Sequence, residues 1–119
     1  MRHLAVVVED DEILRSVIAE SLALLSITVV EFSNADDALA FIENHEPMDL
    51  LVTDVHMPGT KDGLALAQFL WKFAPSLSVI VISGHAIVLP GTLPSNAIFL
   101  RKPFSVDALH DAVAALVQI

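Results

Sequence analysis

The chain has no cysteine among its 119 residues. That removes disulfides, thiolate nucleophiles and sulfur-bound metals, and it fits a reducing compartment. Basic residues are scarce as well. Six Lys and Arg stand against 15 Asp and Glu, a net charge of -9. A surface this acidic repels phosphate backbones, so nucleic acid is not an expected direct partner. No apolar run reaches the roughly 18 residues of a membrane span. The start, "MRHLAVVVEDDE", turns acidic too early for a secretory signal. A cytoplasmic chain without a membrane partner is expected. Glycine is limited to four residues, and no glycine-rich phosphate loop is present, which argues against a bound flavin. What remains is a chain of one-domain length, 55% hydrophobic, with enough apolar material for a core.

Short apolar runs alternate with longer amphipathic stretches. "LAVVV" (Leu4–Val8) is continuous and β-branched, as a strand buried on both faces requires. Ile27–Phe32, Asp49–Thr53, Leu77–Ile82 and the weaker Ala97–Leu100 read as four more strands. Helical spacing runs over Glu12–Leu25, Asn34–Asn44, Gly63–Phe73 and Ser105–Val117, with Asp10 or Asp11, Asn34, Asp62 and Ser105 as caps. Strands alternating with helices argue for a parallel sheet covered on both faces. The stretch Ser83–Leu100 should hold a crossover helix, but Pro90, Gly91 and Pro94 leave room for one or two turns at most. The fourth helix is therefore expected to be short or absent. No repeat, linker or second domain is visible.

In doubly wound sheets ligands bind beyond the carboxyl ends of the strands. The first strand ends in Glu9, Asp10 and Asp11, the third at Asp54, the fourth at Ser83, and the fifth runs into Lys102. Singly, each has an ordinary role as cap, turn or solvated residue. Together they bring acid, acid, hydroxyl and ammonium to one edge. Clustered carboxylates without cysteine suit a hard cation, and Mg²⁺ needs only one or two of them. A carboxylate beside Mg²⁺ can attack phosphorus, with a lysine and a hydroxyl meeting the phosphoryl oxygens. Asp54, Lys102 and Ser83 match those three needs.

The segments "VVVEDDEILR", "DLLVTDVHMPGTKDG", "VIVISGH" and "FLRKPF" together resemble the receiver domains of two-component response regulators, in family order and over nearly the whole chain. The resemblance implies a flavodoxin-like α/β fold, a doubly wound five-stranded parallel sheet of order 2-1-3-4-5. It implies that Asp54 is phosphorylated by a histidine kinase or histidine phosphotransfer protein. It implies a Mg²⁺ site of Glu9, Asp10, Asp54 and the carbonyl of His56, with Asp11 starting the helix. The acid pair is assigned by the five-residue spacing from Asp10 to Arg15. Ser83 corresponds to the switch hydroxyl, Lys102 to the lysine that grips the phosphoryl group, and Phe99 to the rotating switch aromatic. A cis bond is implied between Lys102 and Pro103. The expected whole is a single receiver domain over residues 1–119, without an output domain. It would act in phosphorelay signalling and catalyse only its own phosphorylation and dephosphorylation.

The chain departs from the family in three places. "MPGTKDG" carries one residue more than the commoner spacing and adds Lys61 to the loop. Ser83–Lys102 is short where most members have a fourth helix, so dimerisation through that helix is not carried over. Phe99 has no hydroxyl, so a switch through a tyrosine hydrogen bond is excluded. His56 and His85 follow Asp54 and Ser83 by two residues and are expected to tune access of hydrolytic water. His3, His45 and His110 read as surface residues. On the first helix, Leu14, Ile18, Leu22 and Leu25 form one apolar stripe, and Ile13, Val17 and Leu24 a second, which suits either a widely buried helix or a docking face for the phosphodonor. Two rivals share the residues. One is a Mg²⁺-dependent phosphohydrolase with an aspartyl nucleophile, weakened because His56 stands where a second aspartate is usual. The other is a receiver-like binding module that is never phosphorylated.

Overall fold

The computed structural model describes residues 3–44, 47–55, 62–84 and 93–118. Within them β1 (His3–Val8) leads to α1 (Glu12–Ala23), β2 (Ile27–Phe32), α2 (Ala35–Glu43), β3 (Leu50–Asp54) and α3 (Gly63–Trp71). Then come β4 (Ser78–Ser83), β5 (Ala97–Arg101) and α4 (Val106–Leu116). The five strands form one parallel sheet in the order β2-β1-β3-β4-β5. That is the expected doubly wound architecture. Among the described residues no helix lies between β4 and β5, in keeping with a fourth crossover helix that is short or absent. None of the described helices is long and apolar enough to cross a membrane.

Strand periodicity sorts the core into two layers. Ala5, Val7, Leu50, Val52, Ile80 and Ile82 face one way and pack against Ile18 and Leu22 of α1 and Leu109 and Val113 of α4. Their neighbours Val6, Val8, Leu51, Val79 and Val81 face the other way, against Ala35 and Ala38 of α2 and Leu66, Ala67 and Leu70 of α3. The central strands are apolar on both faces because both faces are covered.

Each helix starts where a side chain satisfies an orphan N–H. Asp11 accepts from Leu14 N, Asn34 from Asp37 N, Asp62 from Ala65 N and Ser105 from Ala108 N. Of the two cap candidates for α1, Asp11 is used, which releases Asp10 for the sheet edge. The α1 helix ends earlier than its apolar pattern suggests, because Ser26 turns the chain with φ 62°. The β3 and β4 strands lie one residue later than their apolar runs. Pairing of Asp54 with Ile82 and of Ser83 with Arg101 carries the ladders into the polar residues.

The surface reading of His110 needs correction. It is half-buried on α4, and its Nε2 lies 2.8 Å from the carbonyl oxygen of Ser21 on α1. His3 is also partly covered, 3.8 Å from Asp49. His45 lies outside the described residues.

Candidate functional site: an acidic pocket at the carboxyl edge of the sheet

Three ladders deliver the site residues. Glu9 N donates to Phe32 O at 3.0 Å, extending the β1–β2 pairing by one bond. Asp54 closes β3, and Val55 N donates to Ile82 O at 2.9 Å just beyond it. Lys102 N donates to Ser83 O at 2.9 Å, which ties the lysine to the end of β4. The Lys102–Pro103 bond is cis, as expected.

These constraints bring Glu9, Asp10 and Asp54 together, one carboxylate oxygen from each lying within 4.8 Å of the others. Glu9 and Asp54 are buried, at 1% and 4% exposure, while Asp10 is open to solvent. Lys102 Nζ stands between the two buried acids, 2.7 Å from Asp54 Oδ2 and 3.1 Å from Glu9 Oε1. Only the first of these contacts has hydrogen-bond geometry. Ser83 is buried beside them at the end of β4. Phe99 is partly buried on β5 against the α2/α3 layer and pairs with Val81 in the ladder. His56, Lys61 and His85 lie outside the described residues, as does the enlarged loop over residues 56–61.

Electrostatics follow from burial. Removal from water pushes the Glu9 carboxyl up from its usual 4.5 to about 7. The Asp11 N–H, donating to Glu9 Oε2 at 3.0 Å, opposes that shift only in part. Burial alone would lower the Lys102 ammonium. Its hydrogen bond to Asp54 and the charge of Glu9 outweigh burial and hold its pKa above the ordinary 10.5.

One ammonium thus faces three acids, and Glu9 Oε1 is buried without a hydrogen bond among the described residues. The Lys102 ammonium reaches Glu9 Oε1 only as an ion pair at 3.1 Å and is shared with Asp54, so acid still outweighs base in the pocket, and a further cation would offset the excess. The donors are hard oxygens, and one of the three acids is open to solvent. Both features suit Mg²⁺, which keeps several of its waters. The residues present therefore fit this ion.

Comparison with known proteins identifies the family. The family model of the response regulator receiver domain matches residues 5–114. The chain belongs to this family. As a receiver domain it is a phosphoacceptor of two-component signalling, and such domains are phosphorylated by histidine kinases or phosphotransfer proteins and bind Mg²⁺ at an acidic pocket. It is 33% identical to the DNA-binding transcriptional regulator NtrC of Salmonella typhimurium, over 89% of this chain and 23% of that protein. It is 32% identical to the response regulator receiver protein CpdR of Brucella abortus, over 88% of each. The chain thus spans about a quarter of NtrC but most of CpdR. A solved receiver protein from Sinorhizobium medicae superposes with a TM-score of 0.88 at 26% identity, covering 97% of this chain and 94% of that one.

Two residues beside the acidic pocket escaped the sequence reading. Arg15, noticed only for its spacing, donates from Nη1 to the carbonyl of Glu9 at 2.9 Å. Gly63 opens α3 against the end of β3, where a Cβ would overlap the Asp54 carbonyl oxygen and Thr53 Oγ1. A glycine in the first turn of a helix, where alanine is the better former, was the available signal.

Proposed function

We propose that this receiver domain takes a phosphoryl group from a phosphohistidine donor onto Asp54, with Mg²⁺ held by Glu9, Asp10 and Asp54. The observation that carries the reading is the setting of Asp54. A buried carboxylate at a strand end lies 2.7 Å from a lysine ammonium and within reach of two further acids. An Asp54 carboxylate oxygen attacks phosphorus in line with the departing nitrogen. The O–P bond forms, the P–N bond breaks, and the imidazole nitrogen keeps the electron pair and takes a proton. When bound, the ion supplies positive charge to the phosphoryl oxygens. Lys102, 2.7 Å from Asp54, supplies more, and Ser83 offers a hydroxyl. The new group then biases Ser83 and Phe99, which end β4 and line β5, toward a second arrangement.

The donor's docking place is argued from α1. Leu14, Ile18, Leu22 and Leu25 pack against the core, so the second stripe is not needed there. Ile13, Val17 and Leu24 are exposed at 80%, 42% and 76%. Ile13 and Val17 line a groove of about 380 Å³ with Leu14, Pro103 and Phe104, and Lys102 and Asp11 also line it. An apolar groove that shares Lys102 with the acceptor, 2.7 Å from Asp54, suits a partner that must reach Asp54.

Incubation with Mg²⁺ and acetyl phosphate, read by intact mass, tests the acceptor role. One phosphoryl group is expected on the unaltered protein, and none with EDTA or in Asp54→Asn. An unaltered protein that gains no phosphate would refute the reading. Phosphate that survives Asp54→Asn would refute the site assignment.

A further inference from the structure

Arg15 is out of place by local rules. It sits in the first turns of α1, where the helix dipole disfavours a cation. Its side chain does not extend into solvent and is only 19% exposed. The guanidinium folds back past the start of the helix. Nη1 donates to the Glu9 carbonyl at 2.9 Å, and Nε lies 3.6 Å from Glu31 Oε1 on β2. Arg15 N donates to Asp11 O at 2.8 Å in the ordinary first bond of the helix, so the tie that is particular to this side chain is the one to the Glu9 carbonyl.

We infer that Arg15 is a positioning residue for the metal pocket. It fixes the β1–α1 turn so that the Glu9 and Asp10 carboxylates face Asp54. The inference rests on the reading of this pocket as the Mg²⁺ site. Among the described residues, and beside the ion pair to Lys102, three hydrogen bonds hold Glu9: its N–H to Phe32, its Oε2 from the Asp11 N–H, and its carbonyl from Arg15. The third comes from a side chain, and that side chain is anchored in turn on a different strand through Glu31. A planar guanidinium spans the two acceptors, whereas an ammonium offers a single point of charge.

The sign of the effect on Mg²⁺ separates positioning from plain electrostatics. Arg15 is a cation close to a cation site. By Coulomb's law its removal alone would tighten Mg²⁺ binding. Loss of positioning weakens it, by about tenfold or more if Arg15 behaves as supporting partners of metal ligands usually do.

The experiment is a calorimetric Mg²⁺ titration of the unaltered protein, Arg15→Gln and Arg15→Lys, with thermal melts in EDTA alongside. Weaker binding is expected in both variants, roughly tenfold in Arg15→Gln, with melts too similar to account for the loss. Unchanged or tighter Mg²⁺ binding would overturn the inference, whatever the melts show. If Arg15→Gln does not fold, Arg15→Lys decides, because it holds the charge constant and removes only the fork. If the unaltered protein binds no Mg²⁺, the pocket reading itself falls and takes this inference with it.

Discussion

Glu9 holds its carboxyl away from water, and its pKa is lifted from 4.5 to about 7. The folded chain therefore binds that proton more tightly than the unfolded chain does. Its contribution to stability is complete below pH 4.5 and is lost as pH rises through about 7, the reverse of an ordinary paired carboxylate. The interval from 4.5 to about 7, at about 1.4 kcal/mol per pH unit, gives about 3 kcal/mol. Glu9→Gln keeps the shape and cannot ionise. Denaturant unfolding of both proteins in EDTA from pH 4 to 8 isolates the effect, because subtracting the two curves removes most other titrations. The unaltered protein should lose about 3 kcal/mol relative to Glu9→Gln across that range. Saturating Mg²⁺ at pH 8 should restore much of the loss, since the ion favours the ionised carboxylate. A difference that stays flat with pH would show that Glu9 is not held in a place hostile to its charge, and would refute the argument for a missing cation.

Three further outcomes are expected. Lys102→Met removes the ammonium that competes with the metal at Asp54 and Glu9, so Mg²⁺ affinity measured by calorimetry should rise about tenfold, or 1.4 kcal/mol; weaker binding would contradict the assigned geometry. Gly63→Ala forces a Cβ into the Asp54 carbonyl and Thr53 Oγ1, which should destabilise the fold by about 3 kcal/mol in chemical denaturation and slow phosphorylation by acetyl phosphate. Val17→Glu places a charge in the groove beside α1. Transfer from a phosphorylated histidine partner should slow by about tenfold or more, with labelling by acetyl phosphate unchanged; equal losses in both assays would count against docking there.

The layering of the sheet was legible because β1, β3 and β4 each carry a continuous apolar run, Leu4–Val8, Leu50–Val52 and Val79–Ile82, as a strand covered on both faces requires. The caps Asn34, Asp62 and Ser105 were legible because each stands just before an apolar helical pattern and satisfies an N–H three residues on. Asp54, Ser83 and Lys102 could be placed from the ends of those runs. The membership of Asp54 and Ser83 in the strands could not, because the partner strands extend the ladders past the apolar residues. In "EDD" three acids compete for two roles; composition left the cap open between Asp10 and Asp11, the resemblance implied Asp11, and the fold adds that Glu9 goes inside while Asp10 stays exposed at the rim. Arg15 was hidden for a different reason. Helical periodicity places its Cα, but a long side chain that folds back past a helix start answers to acceptors on another strand. Gly63 meets Asp54 only through a contact between elements, which spacing does not encode.

The most direct measurement locates the phosphoryl group chemically. The protein is labelled with acetyl phosphate and Mg²⁺ and reduced at once with borohydride, which converts an aspartyl phosphate to homoserine. Peptide mapping then reads the altered residue. Homoserine is predicted at position 54, dependent on Mg²⁺ and absent from unlabelled protein. Homoserine at another aspartate, or none in a protein that has gained phosphate mass, would contradict the assignment of Asp54 as the acceptor.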